Sequence, residues 1–126
     1  MPAEISFKSA THRQRFLQIM RQIDKIYDGK YDQEYGAALY ILTADLAMWQ
    51  KTSDYVSSHG IRFTAMLKEI DLSEGHGILV DLAANLFDAD DFHCDVSELK
   101  HLDSSNFNIA LDAICLRRDS YKENEQ

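Results

Sequence analysis

Apolar positions recur every three or four residues along most of the chain, which is the spacing of helices that bury one face. Thr11 followed by Gln14 matches a capping box, and Asp28-Gly29 is typical of a helix end. The pattern therefore predicts a first helix from about Thr11 to Asp28-Gly29. Its buried face would be formed by Phe16, Ile19, Met20, Ile23, Ile26 and Tyr27.

Two further helices are predicted in the middle of the chain. Asp32 is a favourable N-cap for the second, and the run Ala37 to Leu42 is apolar nearly all round, so we expect this helix at the centre of the core. The third is predicted to begin at Thr43 or Asp45 and to stop at Gly60.

The second half of the chain carries four more helix signals. A short helix is predicted over 63–70, Ser73 is placed to cap a fifth, and Asp95 with Glu98 forms a second capping box. Asp103 is the predicted N-cap of the last helix. In that helix, four residues are predicted to face the core: Phe107, Ala110, Leu111 and Ile114.

Seven helical segments, without a convincing strand or an internal sequence repeat, predict an all-α fold. A chain of 126 residues is the usual size of one domain, and sustained heptads are lacking. We therefore expect a single irregular, compact bundle of about six to seven helices. Residues 1–8 are predicted to be an extended lead-in, 9–118 the helical domain and 119–126 a frayed polar tail.

The charge is unevenly divided along the chain. Residues 1–30 hold six Lys/Arg against three Asp/Glu, whereas residues 31–116 hold four against fifteen, a net charge of −11. Such a surface disfavours direct binding to nucleic acid and favours contact with a basic protein surface. With no membrane-spanning apolar run and no signal-peptide pattern, the expected location is cytoplasmic, where Cys94 and Cys115 would be free thiols.

The densest polar segment is the predicted loop 88–95. Its carboxylates could hold a divalent cation, but the spacing does not match the calcium loop, and zinc ligand pairs are missing. A nucleophilic arrangement of Cys94, His101 and Asp103 lacks a supporting motif. Gly75-His76-Gly77 is a weak anion-binding signal, since neither a preceding strand nor a following Lys-Ser pair accompanies it. No cofactor, metal site or catalytic residue is predicted.

Partner-contacting residues are predicted at two places. Tyrosines are concentrated around the first inter-helix connection, and tyrosine is favoured at interfaces because it combines apolar area with a polar tip. The acidic loop supplies the charge that a basic partner would meet. The candidate contact residues are Tyr27, Tyr31, Tyr35, Asp88, Asp90 and Asp91.

Several segments resemble a family of small uncharacterised proteins from Gram-positive bacteria and their phages. The similarity runs from about residue 7 to 118 and is carried by Phe7-Lys8-Ser9 with His12, by Arg15-Phe16, and by AALYILTAD (37–45), LAANLF (82–87) and ALDAICLRR (110–118). The resemblance implies a phage or mobile-element setting and supplies no catalytic or binding residue.

Together these observations lead us to expect a non-enzymatic protein–protein interaction module. In a phage setting, an acidic surface suggests an inhibitor of a host nucleic-acid-handling defence complex, similar in mode to anti-CRISPR proteins. The alternatives are a protein that sequesters a small molecule and a small metal-dependent enzyme centred on Asp88 to Asp95. Homo-oligomerisation is left open.

Overall fold

The computed structural model describes residues 5–87 and 92–119. Within these ranges it contains six α-helices, two 3-10 helices and two short hairpins, which confirms the all-α class. The helices are α1 (Ala10–Gln22), α2 (Gln33–Leu42), α3 (Leu46–Thr52), α4 (Phe63–Glu69), α5 (Glu74–Phe87) and α6 (Ser104–Arg118). The 3-10 helices are Ser53–Tyr55 and Val96–His101, and the strands are β1 (Ile26–Tyr27), β2 (Lys30–Tyr31), β3 (Val56–Ser57) and β4 (Gly60–Ile61).

Helix α2 forms the centre of the bundle, as its apolar run predicts. Every residue from Tyr35 to Leu42 is buried. The helix packs against α5 and α6 and, over a smaller contact, against α1. An all-round apolar helix is stable in water only when neighbouring helices cover it, so α2 determines the arrangement of the others.

Three of the predicted N-caps are observed in the structure, and two predicted caps are wrong. Three predicted N-caps are confirmed, because their carboxylates accept backbone N–H bonds at 2.8–2.9 Å: Asp32, Asp45 and Asp103. Helix α1, however, is capped by Ser9 and not Thr11, since the Ser9 hydroxyl accepts the His12 N–H at 3.1 Å. The Asp95 side chain makes no cap bond; its backbone carbonyl instead accepts from Glu98 N–H at 2.9 Å, closing the first turn of a 3-10 helix.

Two segments predicted to be helical are hairpins. Helix α1 stops at Gln22, and β1 pairs with β2 in antiparallel register, Ile26 opposite Tyr31. Asp28 and Gly29 both have positive φ, at 53° and 76°, which is the backbone of a type I′ hairpin turn and not of a helix end. The third predicted helix is likewise cut short, because Val56 pairs with Ile61.

The two hairpins belong to a structural repeat that the sequence does not reveal. Each follows a helix, and each leads directly into another, so that α1–β1–β2–α2 and α3–β3–β4–α4 share one topology. The registers Ile26–Tyr31 and Val56–Ile61 are offset by 30 residues, and so are the starts of α2 and α4. The Asp32 N–H bonds to Lys25 C=O and the Arg62 N–H bonds to Tyr55 C=O, each at 2.9 Å.

We expect opposite stability effects from alanine at two glycines. Gly77 lies in α5, and an added Cβ there would meet no atom within 4 Å, so Gly77→Ala should raise the free energy of unfolding by about 0.5–1 kcal/mol through helix propensity. Gly29→Ala should lower it by about 1–2 kcal/mol, because φ is +76°. Urea denaturation measures both; equal effects of one sign would contradict the described backbone.

Arginine side chains bind the carboxyl ends of two helices. Arg15 on α1 donates from Nε to the Thr43 carbonyl at 2.8 Å and from Nη2 to the Ala44 carbonyl at 3.4 Å, just beyond α2. Arg117 on α6 donates from Nε to the Leu86 carbonyl at 2.8 Å near the end of α5. These carbonyls have no partner within their own helices, so the two arginines fix how α1 and α6 meet their neighbours.

Candidate functional site

The predicted tyrosine patch is largely core. Tyr31 is buried and packs edge-to-face on Phe16, with ring centroids 5.2 Å apart. Tyr35 is buried too, and its hydroxyl donates to the Ser57 carbonyl at 3.0 Å, which joins α2 to the second hairpin. Tyr27 alone of the three is exposed, at 50%. The structure thus reduces the patch predicted at this connection to a single ring.

The other predicted contact residues, Asp88, Asp90 and Asp91, lie outside the described residues. In the described part of the chain, no group of three or more His, Cys, Asp and Glu side chains is placed to hold a metal ion. Burial raises the pKa of the Cys94 thiol, and the nearby carboxylates, Glu98 first, raise it further. This environment keeps the thiol protonated, whereas a nucleophilic cysteine requires a lowered pKa.

Two backbone N–H groups at the start of α5 are occupied by the residue that caps the helix. The N–H of Gly77 bonds to the Ser73 carbonyl at 2.7 Å. The N–H of His76 bonds to the Ser73 hydroxyl at 3.2 Å. Because Ser73 takes up both donors as a helix cap, the segment has the structural role of a helix start.

Helix α6 carries an exposed apolar face instead of the predicted core face. Phe107, Leu111 and Ile114 are exposed at 37%, 43% and 37%. The residues that α6 buries are Ile109, Ala110, Ala113 and Leu116, so of the four predicted core residues only Ala110 is confirmed. The two alanines allow close approach to α2 and α5, which turns the three larger side chains outward. We call Phe107, Leu111 and Ile114 the α6 stripe.

A groove runs beside the stripe, between α6 and the segment that precedes α1. Its volume is about 500 Å³, and Leu111 belongs both to the stripe and to the lining of the groove. The groove has an aromatic floor and a polar margin. Its lining includes Ser6, Phe7, Lys8, Tyr40, Asn108, Leu111 and Asp112.

His12 holds the preceding segment in place. Its Nδ1 accepts the Lys8 N–H at 3.0 Å, so the neutral ring is assigned its proton on Nε2, which donates to the Tyr40 carbonyl at 2.8 Å. The imidazole is fully buried, with Phe7 edge-on at 5.1 Å between centroids. Burial lowers the pKa of His12 to about 4; the bond to Tyr40 opposes this shift, and the charges of Arg15 and Lys8 add to it.

Tyr40 ties the same segment to α6. Its hydroxyl lies within hydrogen-bond reach of the Ser6 carbonyl and of Asp112 Oδ2, the latter at 3.0 Å. Burial, followed by the charge and hydrogen bond of Asp112, raises the pKa of Tyr40 well above its usual range. The phenol of Tyr40 at the floor of the groove is therefore neutral. It links α2 to the segment before α1 and to α6.

A second concavity lies between α4 and the end of α5. It has a volume of about 590 Å³ and is lined by Ile61, Phe63, Phe87 and Phe92, with Lys68 at its edge. The ring centroid of Phe63 lies 5.8 Å from that of Phe87 and 6.0 Å from that of Phe92. The three rings therefore pack against one another. The sequence predicts a short helix over 63–70, which includes Phe63, and does not indicate this concavity.

Comparison with known proteins assigns the chain to no family. Among the described residues, no helix has the length and apolar character needed to cross a membrane. No protein-family model, curated protein or solved structure matches the chain.

Proposed function

We propose that this chain is a non-enzymatic protein-interaction module and that its contact surface is the α6 stripe. One observation carries the proposal: three large apolar side chains at spacings of four and three residues stand together in water on a helix whose opposite side is closely packed. Single exposed apolar residues are ordinary, whereas a contiguous set is typical of a contact surface.

The stripe leaves apolar area exposed after folding, and a partner could stabilise a complex by covering it. Complete burial of a side chain of this size stabilises by about 1.5–3 kcal/mol, so covering the exposed two fifths of three such residues would contribute about 2–4 kcal/mol. The groove beside Leu111 adds a recess into which a partner's side chain could insert, an arrangement typical of binding hot spots. The contact with a basic partner that the sequence predicts would be made by Asp88, Asp90 and Asp91. Inhibition of a nucleic-acid-handling complex is a separate proposal.

Replacing the centre of the stripe tests the function. We expect Leu111→Gln to lose protein binding while keeping the wild-type melting temperature within a few degrees, because the residue is 43% exposed and Gln is a good helix former. Leu46→Gln is a matched control, since Leu46 is 53% exposed but stands on α3, which packs against α2 and the 3-10 helix Ser53–Tyr55. The readout is co-purification of proteins, including differently tagged copies of the chain, from cells expressing each variant.

The proposal requires a binder that wild type and Leu46→Gln retain and Leu111→Gln loses. If all three proteins co-purify with the same set, or with nothing, the stripe is not a binding surface.

A further inference from the structure

We infer that residues 5–8 occupy a binding site for an extended segment of another protein, one that carries an aromatic residue, and that this site opens when they dissociate. We call residues 5–8 the strap. None of the four belongs to a helix or a strand; they contact α1 and α2 and form one wall of the groove beside α6. The inference goes beyond the proposed function and does not depend on the α6 stripe.

The body of the protein holds the strap by its backbone. The Tyr40 hydroxyl lies within hydrogen-bond reach of the Ser6 carbonyl, and the Lys8 N–H donates to Nδ1 of His12 at 3.0 Å. The side chains of Tyr40 and His12 are fully buried, and the core fixes their positions, because Nε2 of His12 donates to the Tyr40 carbonyl at 2.8 Å. Bonds to backbone groups do not depend on sequence, so another extended segment can make the same two bonds.

A socket for one aromatic side chain lies between these two bonds, and Phe7 occupies it. The Phe7 ring centroid lies 5.1 Å from that of His12, 5.4 Å from that of Phe16 and 5.6 Å from that of Tyr40. The walls of the socket also pack on one another, with the centroids of His12 and Tyr40 4.6 Å apart. A ligand is therefore expected to present a carbonyl, an aromatic side chain and an N–H on three successive residues.

The strap can leave without depriving a buried donor of its acceptor. The Tyr40 hydroxyl has one proton but two acceptors, since Asp112 Oδ2 lies 3.0 Å away and the Ser6 carbonyl is also within reach. When the strap dissociates, the hydroxyl still donates to Asp112. The imidazole of His12 keeps its bond to the Tyr40 carbonyl, and its Nδ1 becomes an acceptor that water can reach. The main cost of opening is exposure of the socket, which an incoming aromatic ring removes.

The site has room that the strap does not fill. The groove of about 500 Å³ beside the strap lies within the size range of small-ligand pockets. On the α6 side it is lined by Ser105, Asn108 and Leu111, and the side chains of Ser105 and Asn108 make no hydrogen bond within the described part of the chain. A partner segment with larger flanking side chains can contact this wall. These added contacts would let it displace the strap, whose effective concentration is on the order of millimolar.

The first experiment adds a peptide to a variant whose strap is weakened. Phe7→Ala removes the ring and Lys8→Pro removes the N–H, and neither change lies in α1, α2 or α6. A synthetic peptide with the sequence of residues 5–9, Ile-Ser-Phe-Lys-Ser with blocked ends, should bind this double variant with a dissociation constant of about 0.1–1 mM. At about ten times that concentration it should raise the melting temperature by about 4–8 °C. The same peptide with alanine in place of phenylalanine should do neither.

Lys8→Ala is the matched control for the double variant. It keeps the backbone N–H and leaves Phe7 in place, so its strap stays bound. Lys8→Ala and wild type should bind the peptide at least about tenfold more weakly than the double variant, because the tethered strap competes for the site. The inference is wrong if the folded double variant does not bind the peptide, or if all three proteins bind it equally.

The second experiment needs no variant, and it tests the inference even if the double variant does not fold. Hydrogen exchange in the wild-type protein follows the Lys8 amide, whose N–H is bonded only while the strap is in place. We expect its protection to be about 100-fold lower than that of the buried amides of α2 and unchanged by low concentrations of urea. Equal protection of Lys8 and α2 would mean that the strap opens only on global unfolding, which would overturn the inference.

Sedimentation of the wild-type protein distinguishes another protein from a second copy as the occupant. We expect a monomer. A dimer that the double variant converts to a monomer would identify the strap of a second copy as the occupant, and it would overturn the assignment to another protein.

Discussion

Acidification from pH 7 to below 4 is expected to remove about 3 kcal/mol of stability through one side chain, His12. The folded protein holds this imidazole neutral, with a pKa of about 4, whereas an unfolded histidine titrates near 6.5. The ring is fully buried, and Nδ1 is occupied as an acceptor of the Lys8 N–H. A proton added at Nδ1 would turn this acceptor into a donor, which would then face the Lys8 N–H, another donor.

The sign follows from which state binds the proton more readily. The pKa of His12 is lower in the fold, so between pH 6.5 and about 4 the unfolded chain takes up a proton that the folded chain refuses. The contribution of His12 is complete above pH 6.5, decreases as the pH falls, and is lost below about 4. The size follows from the gap between the two pKa values, at about 1.4 kcal/mol for each pH unit.

His12→Gln isolates this effect from the titration of the carboxylates. A glutamine amide can still donate to the Tyr40 carbonyl, but it does not titrate. At pH 7 we expect the variant to be less stable than wild type by about 1–3 kcal/mol, since the Lys8 N–H loses its acceptor. The difference between the two unfolding free energies should then change by about 3 kcal/mol in favour of the variant on acidification.

Urea denaturation at several pH values gives this difference, with His59→Gln as the control because His59 is exposed. If the variant does not fold, the His12 ring can be titrated by NMR in the wild-type protein. A constant difference between pH 7 and 4, or a His12 midpoint near 6.5, would contradict the buried neutral imidazole.

The second large effect is expected at the hydroxyl of Tyr40. Tyr40→Phe keeps the buried ring but removes the donor shared by the Ser6 carbonyl and Asp112, and we expect a loss of about 1–3 kcal/mol in the free energy of unfolding. Tyr27→Phe is the control, since Tyr27 is half exposed on the first hairpin. No loss in Tyr40→Phe beyond that of the control would contradict the described contact.

A double-mutant cycle assigns part of that loss to one pair. With Asp112→Ala as the second variant, the coupling free energy between Tyr40 and Asp112 should be about 1 kcal/mol. The pKa of Tyr40 is raised in the fold, so its contribution is complete below pH 10 and is lost as the pH rises further. Part of the loss of stability at alkaline pH should therefore disappear in Tyr40→Phe, and Tyr31, whose pKa burial also raises, accounts for a remainder.

The sequence predicts the helices whose apolar residues lie on one face or on every face. The run from Ala37 to Leu42 is buried as predicted, and so is the first stripe from Phe16 to Ile23. Its last two predicted members, Ile26 and Tyr27, lie instead in β1, where Tyr27 is half exposed. Capping carboxylates are equally local signals, which is why Asp32, Asp45 and Asp103 are placed correctly.

The hairpins escape prediction because their signals are ambiguous or missing. Asp28-Gly29 serves equally well as a helix end and as a type I′ turn, and the pairing of Ile26 with Tyr31 decides between them. The second turn, Ser58-His59, has no strong turn residue between its paired strands. Its partner strands are only two residues long, too short for an alternating pattern to be recognised.

The candidate surface was missed for a different reason. Helix α6 has apolar residues on two sides, and residue size suggests that Phe107 and Leu111 belong inside. Packing decides otherwise, because Ala110 and Ala113 permit a shorter distance to α2 than larger residues would. The signal that could have located it is the presence of more large apolar residues than one core-facing side of a helix can hold.

The repeated helix–hairpin–helix unit has a consequence for how the chain tolerates substitution. One backbone unit occurs twice, but α2 is buried along most of its length, whereas α4 buries only Phe63 and Met66. Positions 30 residues apart therefore share the order of elements and the strand register but differ in burial, and the turns differ too, since Asp28 and Gly29 have positive φ whereas Ser58 and His59 do not. Because fewer side chains of α4 are fixed by packing, substitutions in the second unit should cost less stability than substitutions at the equivalent positions of the first.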